Sequence, residues 1–594
     1  MTTQIAITLG IIVGALVLFG TEKLRVDVVA LLVLLTVALT GLIGPEEVFA
    51  GFSNPAVITV WAVYIVSGGL FKTGVADILG KFILRLSGES EMRLIVVIML
   101  TCGIISAFMN NVGATAMLLP AVVSISRQTK VPVSKLLIPL SFSSLLGGKL
   151  TLIGTPANIL ATSIVAENGL PTFGFFDFTP IGLVVFGTGI LYMMFIGRHL
   201  LPVRQAPGEE QATQILRKYI SEVRVLPNGR LAGQTLFESR LGADYDLTVI
   251  AIIRDELEIT SLDRDMCIQP DDILLVEGKV ENLMRARDNL GLAIETEPHI
   301  QLDELDDEGA YIVEATLAPR SSMVGRSLRS IQFRDRYGYN VLAIYRQGEV
   351  ITQRLQSVDL QFGDALLLQG PRRRLTGLNA KNDFMVLEPV TISPRRQRKM
   401  PISIGLMILV VGLVLFAGFN IATAMVIGAV AMVLTGCLTM DEAYQSIDWR
   451  TVFLVAGMLP LGTAMEATGT ASYLADLLLG AVGGLGPVAA LGGIYLLAAL
   501  ITQPMSNAAA MVLVVPIALD TALGLGANHL TFTLAVVIGA ATSFLTPVGH
   551  KANVLVFGPG GYKFFDYARV GAPLTVFLFI VTMIALPILY PLFP

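Results

Sequence analysis

Cysteine, histidine and tryptophan are scarce in this chain, with three, four and two copies in 594 residues. Cys102, Cys267 and Cys437 are scattered and make neither a metal-ligand spacing nor a disulfide framework. No nucleophile–base pair and no phosphate-cradling glycine loop stands out, so the chain is expected not to be an enzyme and to need no cofactor. Charge is also scarce. Asp, Glu, Lys and Arg make up 15% of the residues and the formal net charge is −5, which gives no case for a nucleic acid polymer as partner. The first apolar stretch, 5–19, has no basic flank of the kind that marks a cleavable signal, and it reads as a first membrane helix.

Apolar sequence fills the rest. The chain is 54% hydrophobic, with a mean hydropathy of +0.71. A soluble protein rarely has this balance, so most of the chain is expected to sit in lipid. The charges gather between 203 and 400, where Arg, Asp and Glu are frequent. This shift divides the chain into a membrane half 1–202, an insert of two modules 203–300 and 301–399, and a second membrane half 400–594. Candidate spans lie near 4–20, 27–44, 55–71, 135–168 and 179–200, then near 401–418, 419–437, 450–464, 528–560 and 570–592. Stretches 92–126 and 487–522 are apolar but interrupted, by Asn110-Asn111 and Ser506-Asn507, and read as re-entrant hairpins with polar tips.

Positive charge fixes an orientation. With the N-terminus outside, the inside segments of the first half hold Lys23, Arg25, Lys72, Lys81, Arg85, Arg93, Arg127, Lys130, Lys135 and Arg198, and the outside segments hold Glu46, Glu47, Glu167 and Asp177. Five spans leave the insert 203–399 cytoplasmic. The second half then starts inside and ends outside, with Arg450, Lys551, Lys563 and Arg569 inside and Glu466, Asp476 and Asp520 outside. The expected location is the plasma (inner) membrane, multi-pass, with both termini outside.

The halves repeat one another. Gly74 matches Gly469 after 395 positions, Met109, Asn111 and Pro120 match Met505, Asn507 and Pro516 after 396, and Thr155-Pro156 matches Thr546-Pro547 after 391. Phe175-Phe176-Asp177 matches Phe564-Phe565-Asp566 after 389. The expected fold class is therefore an all-α polytopic membrane protein, an inverted repeat of five spans plus one hairpin per half. Paired polar breaks in such a repeat point to the substrate site of a secondary transporter.

The chemistry of the breaks follows from their position. Unpaired backbone groups in hydrocarbon cost several kcal/mol each, roughly, unless they line a cavity or bind an ion. An asparagine tip offers an amide oxygen and freed carbonyls to a cation, and the helix leaving the tip offers N–H groups to an anion. Kinking of helices, or bonding between them, is the plainer reading of one such motif. Two motifs in register, each with a Thr-Pro partner, favour a site. Lys149 falls where the spans place the bilayer interior, so it is a functional candidate, to attract an anion or to stand where a sodium would bind. Snorkelling into a vestibule also fits it. His550 reads as an anion or proton contact or a satisfied core histidine, and Lys551 as a topology signal at the cytoplasmic mouth.

Asn110-Asn111 with Ile-Gly-Thr-Pro-Ala-Asn, and Ser506-Asn507 with Thr-Pro-Val-Gly-His, resemble the divalent-anion/sodium symporter family of the ion-transporter superfamily. The resemblance implies a first sodium site at Ser106, Asn110, Asn111 and Gly154 and a second at Thr502, Met505, Asn507 and Leu545. It places substrate near Asn111, Asn507, Thr155, Pro156, Thr546 and Pro547; the tips and breaks themselves add Val112, Gly113, Lys149, Ser506, Ala508 and His550 as substrate candidates, Lys149 being a departure from the family's pattern. It also implies a homodimer with an elevator-like cycle. The family's tip threonines are Val112 and Ala508 here. Losing those hydroxyls argues against dicarboxylates and for a small inorganic oxyanion, sulfate first. A dicarboxylate carrier or exchanger, an arsenite-type extruder, and a membrane anion sensor remain as alternatives.

The insert has its own repeat. Gly233, Arg254, Asp272 and Gly278 match Gly325, Arg346, Asp364 and Gly370, each after 92 positions. Short β-branched strands with a turn and helix predict two tandem α/β modules. They resemble the C-terminal ligand-binding domain of potassium-channel regulators (TrkA-C, also called the RCK C-terminal domain). That resemblance implies pairing and a small-molecule, nucleotide-type regulator; stabilising the dimer alone also fits. The basic run 394–399 reads as an anchor beside the next helix, in contact with anionic membrane lipid.

Overall fold

In the computed structural model, the residues described are all but 1, 22–23, 76–82, 84, 87, 89, 130, 205–219, 246, 255–256, 260–264, 278–279, 295–310, 318–320, 347–348, 352–354, 362–363, 371–382, 387–397, 504 and 594. Lys23, Lys81, Lys130, Gly278 and most of the basic run 394–399 lie outside them. The chain forms two compact units, Met1–Gln205 with Thr391–Pro594, and Ala206–Val390.

The first unit is helical, and its element order runs twice. Thr3–Thr21, Val26–Thr40, Pro45–Ser53 and Pro55–Lys72 are followed by Glu91–Phe108, Asn111–Thr129, the pair Leu137–Gly147 and Pro156–Glu167, and Thr179–Tyr192. Met400–Leu415, Ile421–Leu434, Met440–Ser446 and Trp449–Ala467 are followed by Pro487–Ile501, Asn507–Gly524, the pair His529–Ala540 and Lys551–Phe557, and Phe564–Leu589. Six described helices are long and apolar enough to cross a membrane, or seven if Trp449–Ala467 and the bent Thr470–Ala481 count as one. This is the composition of a polytopic membrane protein. A helix over Thr470–Val482 is absent from the span reading, which treats that segment as an outside connection. It turns 71° from its predecessor at Gly469, whose φ of 73° takes the left-handed conformation that ends a helix. Gly74 does the same after Pro55–Lys72, with φ 86°.

The second unit holds two antiparallel five-stranded sheets. Strands β1 (Ile220–Val225), β2 (Thr248–Arg254), β3 (Leu257–Ile259), β4 (Ile273–Glu277) and β5 (Leu292–Ile294) pair in the order β3-β2-β4-β1-β5. Strands β6 (Tyr311–Leu317), β7 (Asn340–Arg346), β8 (Glu349–Ile351), β9 (Ala365–Gly370) and β10 (Phe384–Val386) pair as β8-β7-β9-β6-β10, the same topology. Both copies bulge at equivalent places, between Val249 and Ala251 and between Val341 and Ala343. In each, a strand-end arginine forks onto a buried aspartate: Arg254 onto Asp272 at 2.8 and 2.7 Å, Arg346 onto Asp364 at 2.9 and 2.8 Å. The 92-residue repeat is thus a repeat of strand order, bulge and ion pair.

Candidate functional site: two tips and two helix breaks

Each tip is wired by an asparagine and a hydroxyl five residues before it. In the first, Ser106 Oγ donates to Asn111 Oδ1 at 2.8 Å and also lies 2.8 Å from the Ser144 carbonyl of helix Leu137–Gly147. Asn111 is 3% exposed. In the second, Thr502 Oγ1 donates to Asn507 Oδ1 at 2.8 Å, and Ser543 Oγ, from the second break, reaches the same oxygen at 3.2 Å. The hydroxyl and amide thus join the two arms of each tip and tie it to the neighbouring broken helix.

The breaks are held by two asparagines outside the candidate set. Asn158 Nδ2 donates to the carbonyls of Gly148 and Thr151 at 3.0 and 2.8 Å. Asn553 Nδ2 donates to those of Ser543 and Thr546 at 2.7 and 3.2 Å. Each amide spans the open backbone between two half-helices and satisfies carbonyls that would otherwise be orphaned in a buried setting. Asn158 to Asn553, Gly148 to Ser543 and Thr151 to Thr546 are all steps of 395 positions. This wiring corrects the match of Thr155-Pro156 with Thr546-Pro547. Thr546 is the counterpart of Thr151, and Thr155 is the counterpart of His550. Thr155 and His550 both start the second half-helix, Thr155 capping the Asn158 N–H at 3.4 Å and His550 Nδ1 capping the Ala552 N–H at 3.1 Å. The shared Ala-Asn pair at 157–158 and 552–553 is the sequence signal that marks the true register.

Tip and break meet directly in the first half. A Cβ on Gly148 would collide with Asn111 Oδ1 and Thr155 Cγ2, so only glycine permits this approach. Thr151 Oγ1 donates to the carbonyl of Ala107, at the end of the hairpin's first arm. Asn110 stands apart, because its Oδ1 accepts the Val112 N–H at 2.8 Å and caps the helix start. Val112 and Gly113 lie in the first turn of helix Asn111–Thr129. Ser506 Oγ caps the second tip helix through Ala509 N at 3.3 Å, beside the buried Met505 and Ala508. Gly154 donates its N–H to the Thr151 carbonyl at 3.4 Å. Leu545 and Thr546 are half-buried and Pro547 is buried in the second break. Lys551 pairs with Asp448 at 3.0 Å, so its charge is already engaged.

Lys149 has no such partner among the described residues. It lies in the first break, is 2% exposed, and its ammonium meets no hydrogen-bond acceptor there. Its Nζ lies 5.8 Å from the centroid of the Phe544 ring, within cation–π range. Phe544 is the residue 395 positions after Lys149, so the two breaks bring equivalent positions together. Two buried tyrosines on neighbouring helices are hydrogen-bonded elsewhere. Tyr192 donates to Val570 O at 2.7 Å and Tyr567 to Asn553 O at 2.8 Å. Glu167 accepts from Asn54 and Ser163 at the far end of its helix.

The site thus offers neutral amide and hydroxyl oxygens beside a buried lysine that has no ion-pair partner among the described residues. Neutral hard oxygens suit a monovalent cation. A divalent ion is normally held with carboxylates, and no group of three or more His, Cys, Asp or Glu residues forms a metal site among the described residues.

Known proteins agree with a transport role. Over its whole length the chain is 38% identical to an uncharacterized transporter of Synechocystis, covering 98% of that protein. It is 33% identical to an uncharacterized transporter of Escherichia coli, with both chains fully covered. A more distant relative is the sodium/sulfate cotransporter 2 of Chlamydomonas reinhardtii, 21% identical over 90% of this chain and 83% of the relative. A model of the citrate transporter family matches residues 16–537. With that match spanning most of its length, the chain belongs to the citrate transporter family.

Proposed function

We propose that this protein is a secondary transporter that carries a small divalent oxyanion, sulfate first, coupled to sodium. Lys149 is the observation that carries the reading. An uncompensated buried ammonium costs several kcal/mol, roughly, and an anion between the breaks supplies the missing charge. The N-terminal ends of the helices starting at Asn111, Pro156, Asn507 and Lys551 supply N–H groups for its oxygens. Sulfate is preferred over a carboxylate because Val112 and Ala508 lack hydroxyls, and the Chlamydomonas cotransporter supports the same choice. The family name points instead to citrate, so carboxylates are the competitors to test.

The neutral oxygens of Ser106 and Asn111, and of Thr502, Asn507 and Ser543, serve sodium. The transporter is an inverted-repeat homodimer in the plasma membrane with elevator-type access, both termini outside and the insert cytoplasmic. The two insert modules are TrkA-C-like and take a nucleotide-type regulator. Uptake of labelled sulfate into proteoliposomes is expected to rise with an inward sodium gradient and to fall at least tenfold in Asn111→Ala and Asn507→Ala. Citrate and succinate are expected to compete poorly. Uptake that ignores both substitutions, or citrate uptake that exceeds sulfate uptake, overturns the reading.

A further inference from the structure

The first unit packs as two groups of helices. Helices ahead of the hairpins form a frame across the halves, Val26–Thr40 on Trp449–Ala467 and Pro55–Lys72 on Ile421–Leu434. Hairpins, broken helices and the helices after them form the other group: Glu91–Phe108 packs on Leu137–Gly147, Pro487–Ile501 on His529–Ala540, and Thr179–Tyr192 on Phe564–Leu589. In each half a polar contact joins frame and break group through the residue just ahead of equivalent frame helices. That residue is Asn54 before Pro55–Lys72 and Asp448 before Trp449–Ala467, a step of 394 positions.

These two residues meet opposite ends of equivalent half-helices. Asp448 Oδ2 lies 3.0 Å from Nζ of Lys551, the first residue of Lys551–Phe557 and next to the break. Asn54 meets the far end of Pro156–Glu167, where its Nδ2 donates to Glu167 and its Oδ1 accepts the Ser163 hydroxyl at 3.0 Å. The next residue, Asn168, donates to Glu466 of the frame helix Trp449–Ala467 at 2.7 Å. Along the 395-residue step, Lys551 corresponds to Pro156, Tyr562 to Glu167 and Lys563 to Asn168. The break group is therefore seated unevenly: one break start is level with the frame's edge in the second half, and one far end is level with it in the first.

In an inverted repeat, such a seating has a mirror in which the halves exchange roles. Asn54 then lies beside Pro156, and Asp448 lies beside positions 562 and 563. The contact moves from the start of a half-helix to the equivalent of Ser163 or Glu167, about 10–17 Å at 1.5 Å per residue. Asp448 is 8% exposed, and a carboxylate so buried is stranded if its cation departs with nothing in place. The mirror seating supplies one. Tyr562 is buried and donates to the Ser134 carbonyl, whereas Lys563 is exposed. The uncharged Asn54 needs no such exchange. We infer that Asp448 is a two-position latch of the transport cycle, paired with Lys551 in this structure and with Lys563 in the opposite-facing state. The inference rests on the alternating-access reading and goes beyond it by naming the ion pairs that hold its two end states.

Cysteine pairs read the two positions directly. Asp448→Cys is combined with Lys551→Cys or with Lys563→Cys in full-length protein carrying Cys267→Ser, since Cys267 is exposed while Cys102 and Cys437 are buried. Proteoliposomes are treated with a short bis-methanethiosulfonate and analysed by peptide mass spectrometry. Both links are expected, and each is expected to lower labelled sulfate uptake at least tenfold until a reductant is added. A link between positions 448 and 551 with none between 448 and 563 overturns the inference. Charge reversal tests it without cross-linking. Asp448→Lys is expected to lower uptake at least tenfold. Adding Lys551→Asp is expected to leave uptake low, because the opposite state still repels, and adding Lys563→Asp as well is expected to restore most of it. Recovery already in the double variant, or none in the triple, overturns the exchange. Both links without any sulfate uptake keep the latch and defeat the transport reading. Uptake with no link between 448 and 563 does the reverse.

Discussion

Asn158→Leu is the sharpest perturbation of the break. The side chain is 1% exposed and leucine is close in size, so packing changes little and the loss is polar. Two N–H donors vanish, from the Gly148 carbonyl at 3.0 Å and the Thr151 carbonyl at 2.8 Å, and Thr155 Oγ1 loses an acceptor at 3.1 Å. Each orphaned buried carbonyl costs about 1–3 kcal/mol, so the substitution should destabilise the break by about 2–6 kcal/mol. Asn553→Leu should cost at least as much. It orphans the Ser543 and Thr546 carbonyls and also the Ser141 hydroxyl, which reaches Asn553 Oδ1 at 2.6 Å. Detergent-solubilised variants, heated and assayed for the monodisperse fraction, should lose several degrees of thermal midpoint in both cases. If Asn158→Leu keeps the wild-type midpoint and uptake, the two carbonyls are satisfied in some other way and the account of the break is wrong.

Other substitutions separate function from stability. Lys149→Met is expected to lower anion uptake more than tenfold while keeping or raising the thermal midpoint in anion-free buffer, because it removes an unpaired buried charge; retained uptake with a lower midpoint would make Lys149 structural. Val112→Thr with Ala508→Thr restores tip hydroxyls and should improve inhibition by succinate or citrate about tenfold, the worth of roughly 1.4 kcal/mol from added hydrogen bonds; an unchanged competition profile removes the argument from the missing threonines. Arg254→Met leaves Asp272, whose side chain is 1% exposed, as a buried carboxylate. About 3–5 kcal/mol of module stability should be lost, seen as faster limited proteolysis within 206–390 of the full chain. Arg346→Met should do the same in the second module through Asp364. Fast cleavage in one variant only would show that the repeat is not energetic.

Much of this architecture was legible because membrane sequence is under few, strong rules. Apolar runs with polar interruptions read directly as helices and breaks, and Asn111 and Asn507 stood out because an amide in such a run is expensive. The 92-residue insert repeat was legible because Arg254 and Asp272 recur as Arg346 and Asp364, a pair that sits at one end of each sheet. The wiring of the breaks was less visible. Thr-Pro at 155–156 and 546–547 is the more eye-catching match, but proline reports only on its own backbone and not on which carbonyls are left open. Asn158 and Asn553 decide the register through bonds that run backwards over 7 and 10 residues, from inside the following half-helix. Gln503 was invisible for a different reason. A glutamine near a tip reads as polar rim, and only the geometry shows its nitrogen used and its oxygen left over.

That remainder is where the two halves part company. A duplicated site with identical wiring would bind identically on both sides, and the shared amide and hydroxyl framework does look alike across 395 positions. In that framework Asn111 and Asn507 accept hydroxyl donors at their amide oxygens, and Asn158 and Asn553 donate their amide nitrogens to open carbonyls. What a folded protein leaves unpaired in its interior is rare and calls for a partner from outside. Among the described residues of the tips and breaks, two buried groups without a hydrogen-bond partner differ in chemistry: an ammonium in the first break, at Lys149, and an amide oxygen at the second tip, at Gln503. Both lie at departures from the repeat, Lys149 facing Phe544 and Gln503 standing at the position of Ala107.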